Sequence, residues 1–375
     1  MGALTFKMSK GLASRIAVVL AIKMAGVFFA TMIFARFTPL VDSDLYLQGF
    51  YQSETALRLQ IVQRLAIVLK AVVGAQLTHW SFGVISAAGI IYYFVTGGRR
   101  WSIVLTLLFP SALVWTSIVG KEAIFFGCFS LLLVIWSKYA VDSLTRIDWI
   151  AAFFALAIAS MLRPHYAGVI VWLFFSTGIV RKWGSKALPI AVMSMLVCAF
   201  AVYLLEWDDL LRRGFGGIEP SARASRFDAF GIEPQTEIGR ARFERFVPLG
   251  TILGIIGPMP QEVLSRPEFL PFFLEGLFIL LSPYLIYRYS MGKKFEKKEL
   301  FIRLFFWCLL PTIGALMILH APFGILNPGS ATRWRTNFEA IFYLAPLLLL
   351  FRCLDDVPNE GSSLSSRRPD GFTVH

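Results

Sequence analysis

GKEAIFFGCFSLLLVIWSKYAVDSLTRIDWIAAFFALAIASMLRPHY, residues 120–166, holds two apolar runs, 123–139 and 148–163, joined by a short polar link. Each run approaches the roughly 20 residues that a helix needs to cross a bilayer core. The charged residues lie at or beside three junctions: Gly120–Glu122, residues 140–147 and Arg163–Tyr166. A chain that crosses and returns puts the first and third junctions on one side of a membrane and the second on the other. That reading sets the fold class: an all-α, polytopic membrane protein.

Similar runs extend in both directions, at 14–36, 76–96, 101–119, 165–181, 187–205, 269–289, 301–320 and 337–352. The expectation is about ten spans in one transmembrane domain covering residues 1–356. Residues 357–375, rich in Ser and Gly, read as a disordered tail. The composition agrees: 57% of the 375 residues are hydrophobic and only 16% charged, against about 25% charged in soluble domains. The first run has no convincing cleavage site and reads as retained.

The net charge of +12 does not indicate a nucleic-acid partner. The basic residues fall in short links between spans, where the positive-inside rule places them. Arg99-Arg100, Arg181-Lys182, Lys186, Lys293-Lys294 and Lys297-Lys298 mark the inner side, so both termini are expected inside. The stretch Ile61–Val73 is apolar, yet counting it as a span would turn the basic links outward. It is therefore read as an amphipathic helix on the outer surface. The long segment 206–268 is read as an outward loop, with Val247–Ile256 as a short helix dipping into the interface. Cys128, Cys198, Cys308 and Cys353 lack CxxC spacing and read as buried small apolar residues.

The outward links carry a different chemistry. Asp42 and Asp44 follow the first span in PLVDSDLYLQGFY; they are solvated loop residues or a base beside the headgroups. FPSALVWTSIVGKE, residues 109–122, ends in Lys121 and Glu122, either a turn pair or a phosphate contact with an acceptor-positioning carboxylate. MLRPHY, residues 161–166, brings Arg163 and His165 to membrane depth, as an interfacial anchor or a phosphate clamp. GSATRWRTN, residues 329–337, puts Arg333 and Arg335 outside, against the charge trend, to hold lipid headgroups or a substrate phosphate. Lys23, inside the first span, receives no role. Walker A, GxSxG, HExxH and strand-linked GxGxxG motifs are missing, which excludes common nucleotide and hydrolase chemistry.

The combination of VDSDLY at 41–46, FPSALVWTSIVGKE, Arg163-Pro164, IIGPMP at 255–260 and TRWR at 332–335 resembles the GT-C superfamily of polytopic glycosyltransferases. O-antigen polymerases and ligases are the near neighbour. The resemblance implies transfer of a sugar from a polyprenyl-phosphate-linked donor to a glycan or lipid acceptor, at the outer face of a bacterial inner membrane. It implies Asp42, Asp44 and Glu122 as catalytic candidates and Lys121, Arg163, His165, Arg333 and Arg335 as substrate-binding ones. The chemistry requires no cofactor; a divalent metal, Mg or Mn, would be compatible with it. The alternatives are a polymerase acting on lipid-pyrophosphate-linked repeat units and, from another class, a transporter or flippase of lipid-linked saccharides.

Overall fold

A computed structural model describes residues 9–38, 40–50, 57–184, 226, 230–231, 237–326 and 328–355. The expected span at 187–205 and the tail at 357–375 lie outside these residues, as do Lys186 and Cys198. The described chain is all-helical, without strands. Its helices are α1 (Lys10–Phe28), α2 (Val41–Gln48), α3 (Leu57–Ser86), α4 (Ala88–Val95), α5 (Pro110–Trp115), α6 (Lys121–Ala140), α7 (Arg146–Leu162) and α8 (Pro164–Trp183). After the undescribed stretch come α9 (Glu237–Ile256), α10 (Pro260–Ser265), α11 (Leu270–Met291), α12 (Lys298–Leu304), α13 (Leu310–Leu326), α14 (Pro328–Arg335) and α15 (Ala340–Asp355).

Among the described residues, six segments are long and apolar enough to cross a membrane: Lys10–Arg36, Arg58–Ser86, Lys121–Ala140, Pro267–Met291, Lys298–Ile325 and Pro328–Leu354. The expected count of about ten is not confirmed among the described residues, and one expected span, 187–205, lies outside them. One reason is Pro110. The expected span 101–119 is instead a 3₁₀ stretch, Trp101–Leu108, followed by the six residues of α5. Proline lacks the N–H that would continue the ladder, so it starts a helix here rather than extending one.

The side-chain pattern of α7 is inverted relative to a soluble protein. Ala152, Ala155 and Ala159 face the interior, while Ile150, Phe153, Phe154 and Ile158 are exposed. An apolar outer band of this kind suits lipid, and small residues inside let helix backbones approach. Helix α6 is the hub. It packs against α3, α4, α7, α8 and α15, and most of its length is buried.

Gly74, at φ 80° and ψ 166°, breaks α3 into two parts. The first contains the expected surface helix and packs on α2, where the Lys70 ammonium donates to the Leu47 carbonyl at 3.0 Å. The second packs on α1 and α6 and leads into α4. Length and apolarity mark the whole of Arg58–Ser86 as a candidate span; the break divides it close to the boundary that separated the surface helix from the next span.

The reading of 206–268 as a loop is corrected from Glu237 onward. Val247–Ile256 is not a separate short helix but the end of the 20-residue α9. Helix α9 lies along α13, with Gly250, Gly254 and Gly324 at the crossing. Of the cysteines, Cys308 and Cys353 are buried and Cys128 is partly exposed.

Candidate functional site

The turn ahead of α6 is held from the side. His79, on the second part of α3, accepts the Val119 N–H through Nδ1 at 3.1 Å. Gly120 then caps α6, and Lys121 and Glu122 occupy its first turn. Arg163 is the residue between α7 and α8, because Pro164 ends one helix and begins the next. Two 20-residue helices, α6 and α8, thus start at the same end of the molecule. Helix N-termini carry unpaired N–H groups and a partial positive charge.

Four chain segments meet there. Arg333 Nη2, on α14, lies 2.6 Å from Asp42 Oδ2 on α2 and 3.2 Å from Glu122 Oε1 on α6. Glu122 Oε1 is also 3.1 Å from Arg163 Nη2. The result is a continuous ionic chain, Asp42–Arg333–Glu122–Arg163. Glu122 and Arg163 are buried, whereas the side chains of Arg333 and Asp42 keep 21% and 32% of their exposure. The chain therefore runs from a water-accessible rim into the protein.

Two tryptophans frame it. The Arg163 guanidinium sits 4.0 Å from the centre of the Trp334 ring, and Lys121 Nζ lies 5.7 Å from the same ring. The other side of Trp334 stacks on Phe323, with centroids 3.9 Å apart. Arg333 stands 5.4 Å from the Trp115 ring. Three cationic groups, Lys121, Arg163 and Arg333, face two carboxylates, Asp42 and Glu122. One positive charge is left over, beside two helix N-termini. Such a place favours an anion with several oxygens.

The structure separates residues that the sequence treated as pairs. Asp44 is exposed and makes no ion pair among the described residues, while Asp42 enters the site. Both are on α2, and residues two apart on a helix point about 200° apart. The same geometry divides Arg333 from Arg335 on α14. Arg335 is buried; it donates to the Ile255 carbonyl at 2.5 Å and lies 3.2 Å from Glu275. These contacts are with the protein's own interior and leave the rim to Arg333. His165 is buried edge-on to Tyr166, with ring centres 4.2 Å apart. Lys23 is fully buried and donates to Thr116 Oγ1 at 2.6 Å.

Sequence reading missed His79 and the buried carboxylates Glu275 and Glu339. The signal for the carboxylates was present: both interrupt strongly apolar segments, where ionisable groups are costly and usually have a partner. Arg226 lies in the segment read as an outward loop. It is buried, bonded to Glu262 at 2.8 and 2.6 Å and to the Gly257 carbonyl at 2.5 Å. No group of three or more His, Cys, Asp or Glu side chains among the described residues is arranged to hold a metal.

No protein-family model matches the chain, and neither a curated protein nor a solved structure is significantly similar to it.

Proposed function

We propose that the chain is a membrane glycosyltransferase with a GT-C-like plan, moving a sugar from a polyprenyl-phosphate donor to a glycan or lipid acceptor in cell-surface polysaccharide synthesis. The observation that carries this reading is the Asp42–Arg333–Glu122–Arg163 chain with its surplus positive charge at a rim beside apolar helices. A phosphate headgroup has the charge that this surplus balances, and its lipid tail has the apolar helices beside it.

In the proposed reaction, the acceptor hydroxyl attacks the anomeric carbon and its proton passes to Asp42. The bond between that carbon and the phosphate oxygen breaks, and the electron pair leaves on the phosphate. Arg333 and Lys121, with Arg163 behind them, offset the growing charge on the leaving group. Glu122 is shared by two arginines; its role is to hold them in place rather than to take the proton. Asp42 rather than Asp44 is the base because it alone reaches Arg333. The positive-inside rule, applied to the basic residues of the opposite end, supports an outward-facing site and cytoplasmic termini in a bacterial inner-membrane protein.

The test uses full-length protein in proteoliposomes with labelled polyprenyl-phosphate sugars and surface-glycan acceptors. The expected result is labelled glycan with release of polyprenyl phosphate. Asp42→Asn lowers the rate about 10²–10⁴-fold, the range for loss of a general base. Label that crosses the membrane still attached to its lipid, with no new glycosidic bond, refutes the transferase reading in favour of a transporter.

A further inference from the structure

Away from the rim, Ser111, Glu275, Arg335 and Glu339 meet in the protein interior, and all four are buried. They come from α5, α11, α14 and the turn before α15. Ser111 Oγ is in hydrogen-bond contact with Glu275 Oε1 and lies 2.6 Å from Glu339 Oε2. The Ser111 N–H donates to Glu275 Oε2 at 2.9 Å. Arg335 Nη2 stands 3.2 Å from Glu275 Oε2, and its Nε stands 3.8 Å from Glu339 Oε2. Glu339 Oε1 is buried without a hydrogen-bond partner among the described residues.

The hydrogens in this group can be counted. A serine hydroxyl has one hydrogen, and an ionised carboxylate has none. Ser111 Oγ contacts two carboxyl groups, so it can donate to only one of them. The other contact requires a hydrogen supplied by the carboxyl itself. The charges lead to the same answer. Two carboxyl groups face one guanidinium; Lys23, the other cation in this region, attracts Glu339 only from a distance, because its ammonium is hydrogen-bonded to Thr116 and forms no ion pair with either glutamate among the described residues. Ionising both carboxyls would bury a charge without a close partner, at a depth where that is expensive.

The two glutamates are not equivalent. Glu275 receives the Ser111 N–H and the nearer arginine nitrogen, both of which favour a carboxylate. Glu339, besides the Ser111 hydroxyl that both glutamates share, has the longer arginine contact and one oxygen with no donor among the described residues. We propose that Glu275, Ser111 and Glu339 form a single-proton site within the membrane-embedded core, with the proton on Glu339. The Glu339 O–H donates to Ser111 Oγ, which donates in turn to Glu275. The glycosyl transfer proposed above makes no use of this proton.

The test is infrared spectroscopy of the purified full-length protein in an ester-free detergent at neutral pH, in H₂O and in D₂O. The expected wild-type spectrum contains a protonated-carboxyl carbonyl band that shifts in D₂O. Glu339→Gln removes that band while keeping the melting temperature, because its amide can still donate to Ser111. Ser111→Ala moves the band to higher frequency, as the carboxyl loses its acceptor; this variant decides the matter if Glu339→Gln fails to fold. A wild-type spectrum without such a band overturns the proposal. So does a band that neither substitution changes, or one that survives Glu339→Gln and disappears in Glu275→Gln.

Discussion

One terminal nitrogen of Arg333 lies between Asp42 and Glu122, and Glu122 is in turn shared with Arg163. Such a chain holds its shape only if its inner arginine is fixed. Trp334 does this by stacking between Phe323 and the Arg163 guanidinium. A cation over an aromatic face contributes about 0.5–2 kcal/mol, most where water is excluded. On the proposed transferase reading, Trp334→Leu is expected to raise the KM for the lipid donor by roughly 2–30-fold, with Trp334→Phe in between; steady-state kinetics on both variants checks this. The residues of the chain were legible because each is a polar exception at the end of an apolar run. The separation of Asp42 from Asp44, and of Arg333 from Arg335, was not. Both pairs lie on eight-residue helices too short to give a clear periodic signal, and a helix turns such neighbours to opposite sides.

At the scale of elements, glycine sets how closely the helices approach. A Cβ on Gly127 would meet the Ile85 carbonyl, and one on Gly276 would meet the Ile256 carbonyl. The crossing of α9 and α13 is equally close: a Cβ on Gly254 would come within 2.8 Å of His320, and one on Gly324 within 2.8 Å of the Gly254 Cα. Gly250 and Gly254 form a G-x-x-x-G spacing, the pattern by which membrane helices bring their backbones together. Gly254→Leu should destabilise the fold by about 1–3 kcal/mol, the cost of overpacking, seen as a lower melting temperature and aggregation in size-exclusion chromatography. An unchanged melting temperature would show that the crossing is looser than described. Sequence reading placed the ends of α6, α7, α8 and α11 within a few residues, because their apolar runs are uninterrupted. It failed where proline divides a run, at Pro110, and where charged residues in 237–246 hid the first half of α9. Hydropathy alone does not separate a broken run from a straight one.

The whole molecule has two polar ends with different chemistry. At one, Arg15 donates to the Gly98 carbonyl at 3.1 Å, Lys138 pairs with Asp148 at 2.6 Å and Arg181 with Asp142 at 2.8 Å. These contacts tie the ends of neighbouring helices together. At the other, segments far apart in sequence supply the ionic chain that leaves a surplus positive charge at an accessible rim. The central claim is that this surplus holds a lipid-linked phosphate. Thermal unfolding of the purified protein with polyprenyl phosphate, and separately with polyprenol, tests it directly, since a ligand that binds only the folded state raises the melting temperature. A rise with polyprenyl phosphate, none with polyprenol, and loss of the rise in Arg333→Ala are expected. Equal shifts with both lipids, or a phosphate-dependent shift that persists undiminished in Arg333→Ala, would contradict it.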